Sequence, residues 1–113
     1  MDTDIAIQVM GYRKVDFTDG VWWTKDNQKV VKVSDFHPTE LGQYTEWVKA
    51  ELLKQGLFCT VSNDHSGHAA SFYTEADRLC RQYFSGTDKK EAIAICKAAL
   101  EVARKGIRLV HSA

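Results

Sequence analysis

Proline, cysteine and net charge are all scarce in this chain of 113 residues. A single proline and the lack of any low-complexity tract argue against a disordered chain or tail. The 15 basic and 15 acidic side chains cancel, so no overall field attracts duplex nucleic acid or an acidic membrane surface. We therefore expect no duplex nucleic-acid partner.

Long hydrophobic runs are also lacking, because charged residues interrupt each apolar stretch within a few positions. The first residues, MDTDIAIQ, have neither the positive charge nor the apolar centre of a secretion signal. These two features predict a cytoplasmic protein with no membrane partner.

The three cysteines, Cys59, Cys80 and Cys96, form an odd set with no Cys-x-x-Cys pair. This arrangement fits neither a disulfide framework nor a common zinc site. Each cysteine falls on an apolar stripe, where a thiol behaves as a small hydrophobe. We expect reduced, mostly buried thiols and no cofactor.

What remains is an ordinary globular composition, with 44% apolar and 27% charged residues. A chain of this length buries roughly 65% of its unfolded surface without help from disulfides or metal. The composition therefore predicts a single domain over residues 1–113.

Three segments show the spacing of amphipathic helices, in which apolar residues return every three or four positions. Polar residues that can cap a helix precede these segments, and glycines that can end a helix follow them. The predicted helices span residues 3–10 before Gly11, residues 40–55 between the cap Thr39 and the stop Gly56, and a last segment that follows the capping pair Asp88 and Glu91 and ends at Gly106.

Other segments have the composition of β-strands. The runs VWWT and KVVKV flank the turn-rich KDNQ and predict a hairpin that contains Trp22 and Trp23. Because adjacent strand residues point to opposite faces, only one of the two indoles can enter a core from this hairpin. Residues 57–63 and 68–74 predict two more strands, and residues 78–84 predict a third, for which a helix is the alternative.

Writing these last three strands by alternate positions separates an apolar face from a polar one. The fold class is therefore α+β, an antiparallel sheet with packed helices. Solvent exposure explains the polar face, and a ligand or partner surface is the competing explanation. The apolar face contains Leu57, Cys59, Val61, Ala70, Phe72, Cys80 and Phe84, and the polar face contains Thr60, Ser62, Ser71, Tyr73, Arg81 and Tyr83.

The order of four segments, IAIQVMGY, Trp22-Trp23, DFHPTE and EAIAICKAALEVA, resembles the phage ABA sandwich domain, a family of small phage and prophage proteins. The resemblance covers nearly the whole chain. It implies a single domain with an α/β/α sandwich-like arrangement of helices on an antiparallel sheet, and a place in the cytoplasm of a bacterial host. It implies no established activity.

Aromatic and cationic side chains are the strongest candidates for binding. Indole and phenol rings can stack on a base, and guanidinium groups can meet phosphate through charge-assisted hydrogen bonds. The loop before the second helix adds backbone N–H groups that can hold an anion. Core packing and simple surface exposure are the alternatives for these residues. The candidates are Trp22, Trp23, His37, Thr39, Tyr73, Arg78, Arg81 and Tyr83.

Catalytic patterns are weak by comparison. No nucleophile elbow, phosphate-binding glycine loop or dinucleotide fingerprint occurs in the sequence. His65 and His68, with Asp64, could supply part of a metal site, but Asp, Ser and Gly are also the residues that a hairpin turn requires. We expect neither a metal nor an enzyme, and keep a metal-dependent hydrolase as the alternative.

The sequence thus leaves two hypotheses. The first is a non-catalytic phage binding protein that captures a small anionic, nucleotide-like ligand, such as a nucleotide signal of host immunity. The second is a protein-interaction module or inhibitor of a host protein, because Trp, Tyr and Arg are also enriched at interface centres. Near-zero net charge leaves self-association unhindered, so a homo-oligomer is expected.

Overall fold

The computed structural model describes residues 1–74 and 82–105, which form two three-stranded antiparallel sheets and three helices. The α+β class is confirmed, although the strands make two sheets where the sequence predicted one. The helices are α1 (Asp2–Asp4), α2 (Gln43–Lys54) and α3 (Glu91–Arg104), and the strands are β1 (Arg13–Phe17), β2 (Gly20–Lys25), β3 (Gln28–Lys32), β4 (Leu57–Asp64), β5 (Gly67–Thr74) and β6 (Tyr83–Asp88).

The first helix is confirmed, with an unexpected geometry. Helix α1 continues into a wider π-helical segment, Ile5–Val9, in which the amide of Met10 donates to the carbonyl of Ile5 at 3.0 Å. Ile5 and Val9 are fully buried. Gly11 follows with φ of 71°, a left-handed conformation that ends the helix.

The first sheet has the strand order β1-β2-β3. The predicted hairpin is confirmed as β2 and β3. Asp26 and Asn27 join the two strands with φ of 52° and 64°, the positive values that favoured two-residue hairpin turns require. Strand β1 is an additional element, paired with β2 from Arg13 opposite Thr24 to Phe17 opposite Gly20.

Helix α2 begins later than predicted, so Thr39 is not its cap. The N-cap is Gly42, and no side chain caps the helix. The loop before the helix is fixed instead by Thr45, whose hydroxyl donates to the carbonyls of Pro38 at 3.0 Å and Glu40 at 2.9 Å. Gly56 ends the helix with φ of 85°, as predicted.

The second sheet has the order β4-β5-β6. The two predicted strands at 57–63 and 68–74 are confirmed within β4 and β5. Of the segment predicted as a third strand, Tyr83 and Phe84 begin β6, whereas residues 78–81 lie outside the described residues. Asp88 is the last residue of β6 rather than a helix cap; its carboxylate accepts a hydrogen bond from the amide of Lys90, the N-cap of α3.

Helix α3 packs tightly on the inner face of the second sheet. A Cβ atom on Gly86 would lie 2.6 Å from the carbonyl oxygen of Ala94 and from the amide nitrogen of Ala98. Glycine and alanine at this contact therefore let the backbones of helix and strand approach each other. The core lies between α3, the π-helical segment, α2 and the inner faces of the strands.

Candidate binding surfaces on the two sheets

The outer face of the second sheet carries three aromatic rings, one from each strand. We call Phe58, Tyr73 and Tyr83 the aromatic row. Phe58 is paired with Tyr73, and Tyr73 with Tyr83, in the strand register. Their ring centroids lie 5.8 and 5.7 Å apart, at the spacing of directly opposed strand residues. Phe58 is 41% exposed and Tyr83 is 56% exposed, so the row is accessible to solvent.

A row of hydroxyl groups lies beside the aromatic row. Thr60 is paired with Ser71, and Ser71 with Ser85, so that these three residues share the outer face. The hydroxyl groups of Ser71 and Ser85 form a hydrogen bond of 2.8 Å. Because hydroxyls both donate and accept, this row can follow the polar edge of a ligand.

The predicted division of the two faces is confirmed for the described strands. Ala70, Phe72 and Phe84 point inward and are buried, while Tyr73 and Tyr83 point outward. Phe58 was not among the predicted binding residues. Its alternation with Leu57 and Cys59 places it on the outer face, which was a signal available in the sequence.

A cleft opens beside the aromatic row, between α2 and β4. Its volume is about 410 Å³. Lys49 lies at this cleft, 3.2 Å from the carboxylate of Glu46. Burial raises the pKa of the Cys59 thiol, and nearby Lys49 opposes that rise. The sulfur forms part of the cleft lining, next to Phe58. The lining includes Glu46, Lys49, Leu53, Phe58, Cys59 and Tyr73.

The outer face of the first sheet also carries aromatic rings, but these rings are covered by cations. The ammonium group of Lys29 lies 4.5 Å from the ring centroid of Phe17 and 5.0 Å from that of Trp22. The ammonium group of Lys32 lies 5.8 Å from the Trp22 centroid. Arg13 is on the same face, since the strand register pairs it with Thr24. We call Arg13, Phe17, Trp22, Lys29 and Lys32 the cationic face.

One acidic side chain contacts this face. Lys29 donates to the carboxylate of Asp19 at 3.2 Å, and this hydrogen bond is the main cause of the lowered pKa of Asp19. Both groups are exposed, so the attraction between them is screened by solvent and salt.

Trp23 points to the opposite face of the same sheet and is 1% exposed. It packs in the core and offers no surface to a ligand. Two positions further along the strand, Lys25 donates to the carbonyl of Met10 at 3.1 Å and to the carboxylate of Glu51 at 3.2 Å. The inner face of the first sheet is thereby connected to Met10, the residue after the π-helical segment, and to α2.

The loop that contains His37 and Thr39 already holds an anion from its own chain. The carboxylate of Asp2 accepts hydrogen bonds from the amide of Thr39 at 3.2 Å and from its hydroxyl at 2.8 Å. The other carboxylate oxygen lies 3.3 Å from Nδ1 of His37, whose Nε2 donates to the carbonyl of Ser34 at 2.7 Å. The hydrogen bond to Asp2 is the largest cause of the raised pKa of His37. These two residues therefore secure the loop to α1.

Those predicted binding residues that the structure describes do not form one site. Trp22 lies on the first sheet, Tyr73 and Tyr83 lie on the second, and His37 and Thr39 lie in the loop at Asp2. Arg78 and Arg81 lie outside the described residues. Phe58 and Lys49, which were not predicted, lie near Tyr73. Phe17, Lys29 and Lys32, also not predicted, share the outer face of the first sheet with Trp22.

His65 lies in the turn between β4 and β5, and His68 lies at the start of β5, so both belong to a β-hairpin. The carboxylate of Asp64 accepts hydrogen bonds from the amide of Ser66 at 2.7 Å and from its hydroxyl at 2.5 Å, which lowers the pKa of Asp64. Within residues 1–74 and 82–105, no group of three or more His, Cys, Asp or Glu side chains has an arrangement that could hold a metal ion.

Cys96 is also a structural thiol. Its sulfur donates to the carbonyl of Pro38 at 3.3 Å, and burial raises its pKa to about 12. At neutral pH it therefore remains a neutral thiol, without the nucleophilic form that catalysis needs.

Comparison of the chain with protein-family models, curated proteins and solved structures found no match. The resemblance to the phage ABA sandwich domain therefore remains a prediction. In the described part of the chain, no helix has the length and apolar character needed to span a bilayer.

Proposed function

We propose that this protein is a non-catalytic binding protein and that its aromatic row stacks against the flat ring of a small, nucleobase-containing ligand. The observation that carries the proposal is the alignment of Phe58, Tyr73 and Tyr83 across three neighbouring strands, with two of the rings well exposed. An open antiparallel sheet face with such rings is a recognised platform for unstacked bases.

The groups around the row match the other parts of a nucleotide. Stacking on an aromatic side chain contributes roughly 1–3 kcal/mol per base, without requiring a particular base. The hydroxyl row can donate to and accept from base edges or sugar hydroxyls. Lys49, in the lining of the neighbouring cleft, can meet an anionic group of the ligand in exchange for its exposed ion pair with Glu46.

The size of the cleft favours a small ligand. Its volume of about 410 Å³ lies within the range of small-molecule sites. Leu53 and Phe58 give it apolar walls, and they are 54% and 41% exposed. A ligand that covers the aromatic row and enters this cleft would remove both side chains from water.

A thermal-shift screen tests this function. Mononucleotides, cyclic nucleotides and ADP-ribose are suitable probes, because they share the base and differ in the anionic group. A ligand at about 100 times its Kd stabilises the folded state by roughly 2.7 kcal/mol, which raises Tm by about 10 °C for a domain of this size.

The matched variants for this screen are Tyr83→Leu and Phe17→Leu, which each remove one exposed ring from a different sheet. Tyr83→Leu should weaken nucleotide binding about tenfold, as expected when one stacking ring is lost, and Phe17→Leu should leave it unchanged. The absence of a shift with every probe, or an equal effect of both variants, would contradict the proposed function.

The exposed apolar area also favours a second candidate, a protein-interaction module that associates with a copy of itself. Phe58, Tyr83 and Leu53 are all more than 40% exposed, and aromatic side chains are enriched in interface cores. Sedimentation velocity over a range of concentrations distinguishes the two functions. Self-association that Tyr83→Leu abolishes would support the second, and a monomer at all concentrations would exclude self-association through this face.

A further inference from the structure

The cationic face of the first sheet is chemically unlike the aromatic row and serves no role in the proposed function. Of its three cations, Arg13 projects from β1, and Lys29 and Lys32 project from β3, on the two sides of β2. Asp19 is the one acidic group in the described residues with an ion pair to them, and that pair is exposed. The face therefore has an excess of positive charge, although the chain as a whole is neutral.

We propose that this face binds an acidic, extended segment of a partner protein. Charge complementarity argues for the acidic character, since carboxylates can approach the lysine ammonium groups from the solvent side. The ring of Trp22 lies beneath Lys29 and Lys32, so the lysines are held over the sheet before any partner arrives. Less side-chain ordering is then required on binding.

The same geometry disfavours a ligand that stacks on the rings. The ammonium group of Lys29 lies over both Phe17 and Trp22, at 4.5 and 5.0 Å from their centroids. A base would have to displace this lysine and give up two cation–π contacts before it could stack. A carboxylate keeps those contacts and adds an ion pair.

The position of β3 argues for an extended segment. Among the described strands, β3 pairs with β2 alone, so its other edge is unpaired by any of them. Backbone N–H and C=O groups on such an edge can accept an added strand. An acidic strand at this edge would run beside Lys29 and Lys32, and its alternate side chains would share their face.

The test is a fluorescence-anisotropy titration with a labelled peptide of alternating glutamate and threonine. A peptide of alternating glutamine and threonine and a single-stranded oligothymidylate are measured in parallel. Of the two peptides, we expect only the acidic one to bind at low ionic strength, and its affinity to fall steeply between about 20 and 200 mM salt, because the contacts are exposed ion pairs.

The variant K29Q/K32Q should weaken binding of the acidic peptide about tenfold, whereas K54Q/K89Q, which removes the same charge elsewhere, should weaken it less than twofold. Circular dichroism and Tm of both variants establish that they remain folded. Three results would overturn the proposal: no binding of the acidic peptide at low salt, equal losses in both variants, or binding of the oligothymidylate that K29Q/K32Q weakens more than it weakens binding of the peptide. None of these results bears on nucleotide binding by Tyr83, so the two proposals fail separately.

Discussion

The two sheets of this protein present aromatic rings to solvent in different chemical surroundings. On the second sheet, Phe58, Tyr73 and Tyr83 neighbour one another and a row of neutral hydroxyls. On the first sheet, Phe17 and Trp22 lie under lysine ammonium groups. Rings of the first kind can stack on a ligand, whereas rings of the second kind position cations. The side chains around an aromatic residue therefore decide its role on a sheet.

The inner faces differ as well. The second sheet contacts α3 so closely that Gly86 has no room for a Cβ atom. The first sheet is joined to the helices by longer side chains, through Trp23 in the core and Lys25 on Glu51. The two sheets are therefore joined to the helices by different kinds of contact. Mutations at these contacts can destabilise one sheet more than the other.

The largest expected loss of stability comes from replacing the buried member of the neighbouring pair Trp22 and Trp23. Trp23→Ala should lower the free energy of unfolding by about 3–5 kcal/mol, because it leaves a large cavity in the core. Trp22→Ala should cost about 1 kcal/mol, since that ring is half-buried on the outer face. Urea denaturation of both variants measures the difference. Similar losses of stability in the two variants would contradict the placement of Trp23 in the core and Trp22 on the outer face.

A smaller effect is expected at the contact of the second sheet with α3. Gly86→Ala should destabilise the protein by about 1–3 kcal/mol, because the added methyl group overlaps the helix backbone. Gly42→Ser is the control, since no atom lies within 4 Å of the corresponding Cβ position and serine is a favourable N-cap. If Gly86→Ala were neutral by urea denaturation, α3 would not lie directly on β6.

The smallest effect concerns the loop between the sheets. The pKa of His37 is raised in the folded state, chiefly by Asp2. The resulting stabilisation is fully present below about pH 6.5, the pKa in the unfolded chain, and is lost as the pH rises through the higher folded value. His37→Gln should therefore be less stable than the original protein at acidic pH, and the difference should shrink above neutrality.

The measurement for this prediction is the Tm of both proteins across that pH range. A gap that widens with rising pH would contradict the His37–Asp2 contact. Nucleotide binding should be unaffected by His37→Gln, because the loop belongs to the scaffold and to neither binding surface.

Alternation along the chain predicted much of the second sheet. Residues 59–62 and 70–73 place apolar side chains at every second position, and a strand of period two converts that pattern directly into an inner and an outer face. The hairpin around Asp26 and Asn27 was equally predictable, because its turn residues are local signals.

Long-range pairing was not predictable from the same patterns. Strand β1 was missed because RKVDF has exposed charges at most positions and no strong apolar period. Thr39 has the residue type of a helix cap, yet it binds Asp2, which is 37 positions away. The number of sheets depends on which strand edges pair with each other. The alternation of apolar and polar residues within a strand does not indicate which strand it pairs with.

Whether the two sheets are separate binding surfaces is tested by titrating two variants, Tyr83→Leu and K29Q/K32Q, with both the nucleotide that gives the largest thermal shift and the acidic peptide. We expect a crossed result: Tyr83→Leu weakens binding of the nucleotide about tenfold and leaves binding of the peptide unchanged, while K29Q/K32Q does the reverse. If either variant weakened both ligands to the same extent, the two sheets would not be separate binding surfaces of different chemistry.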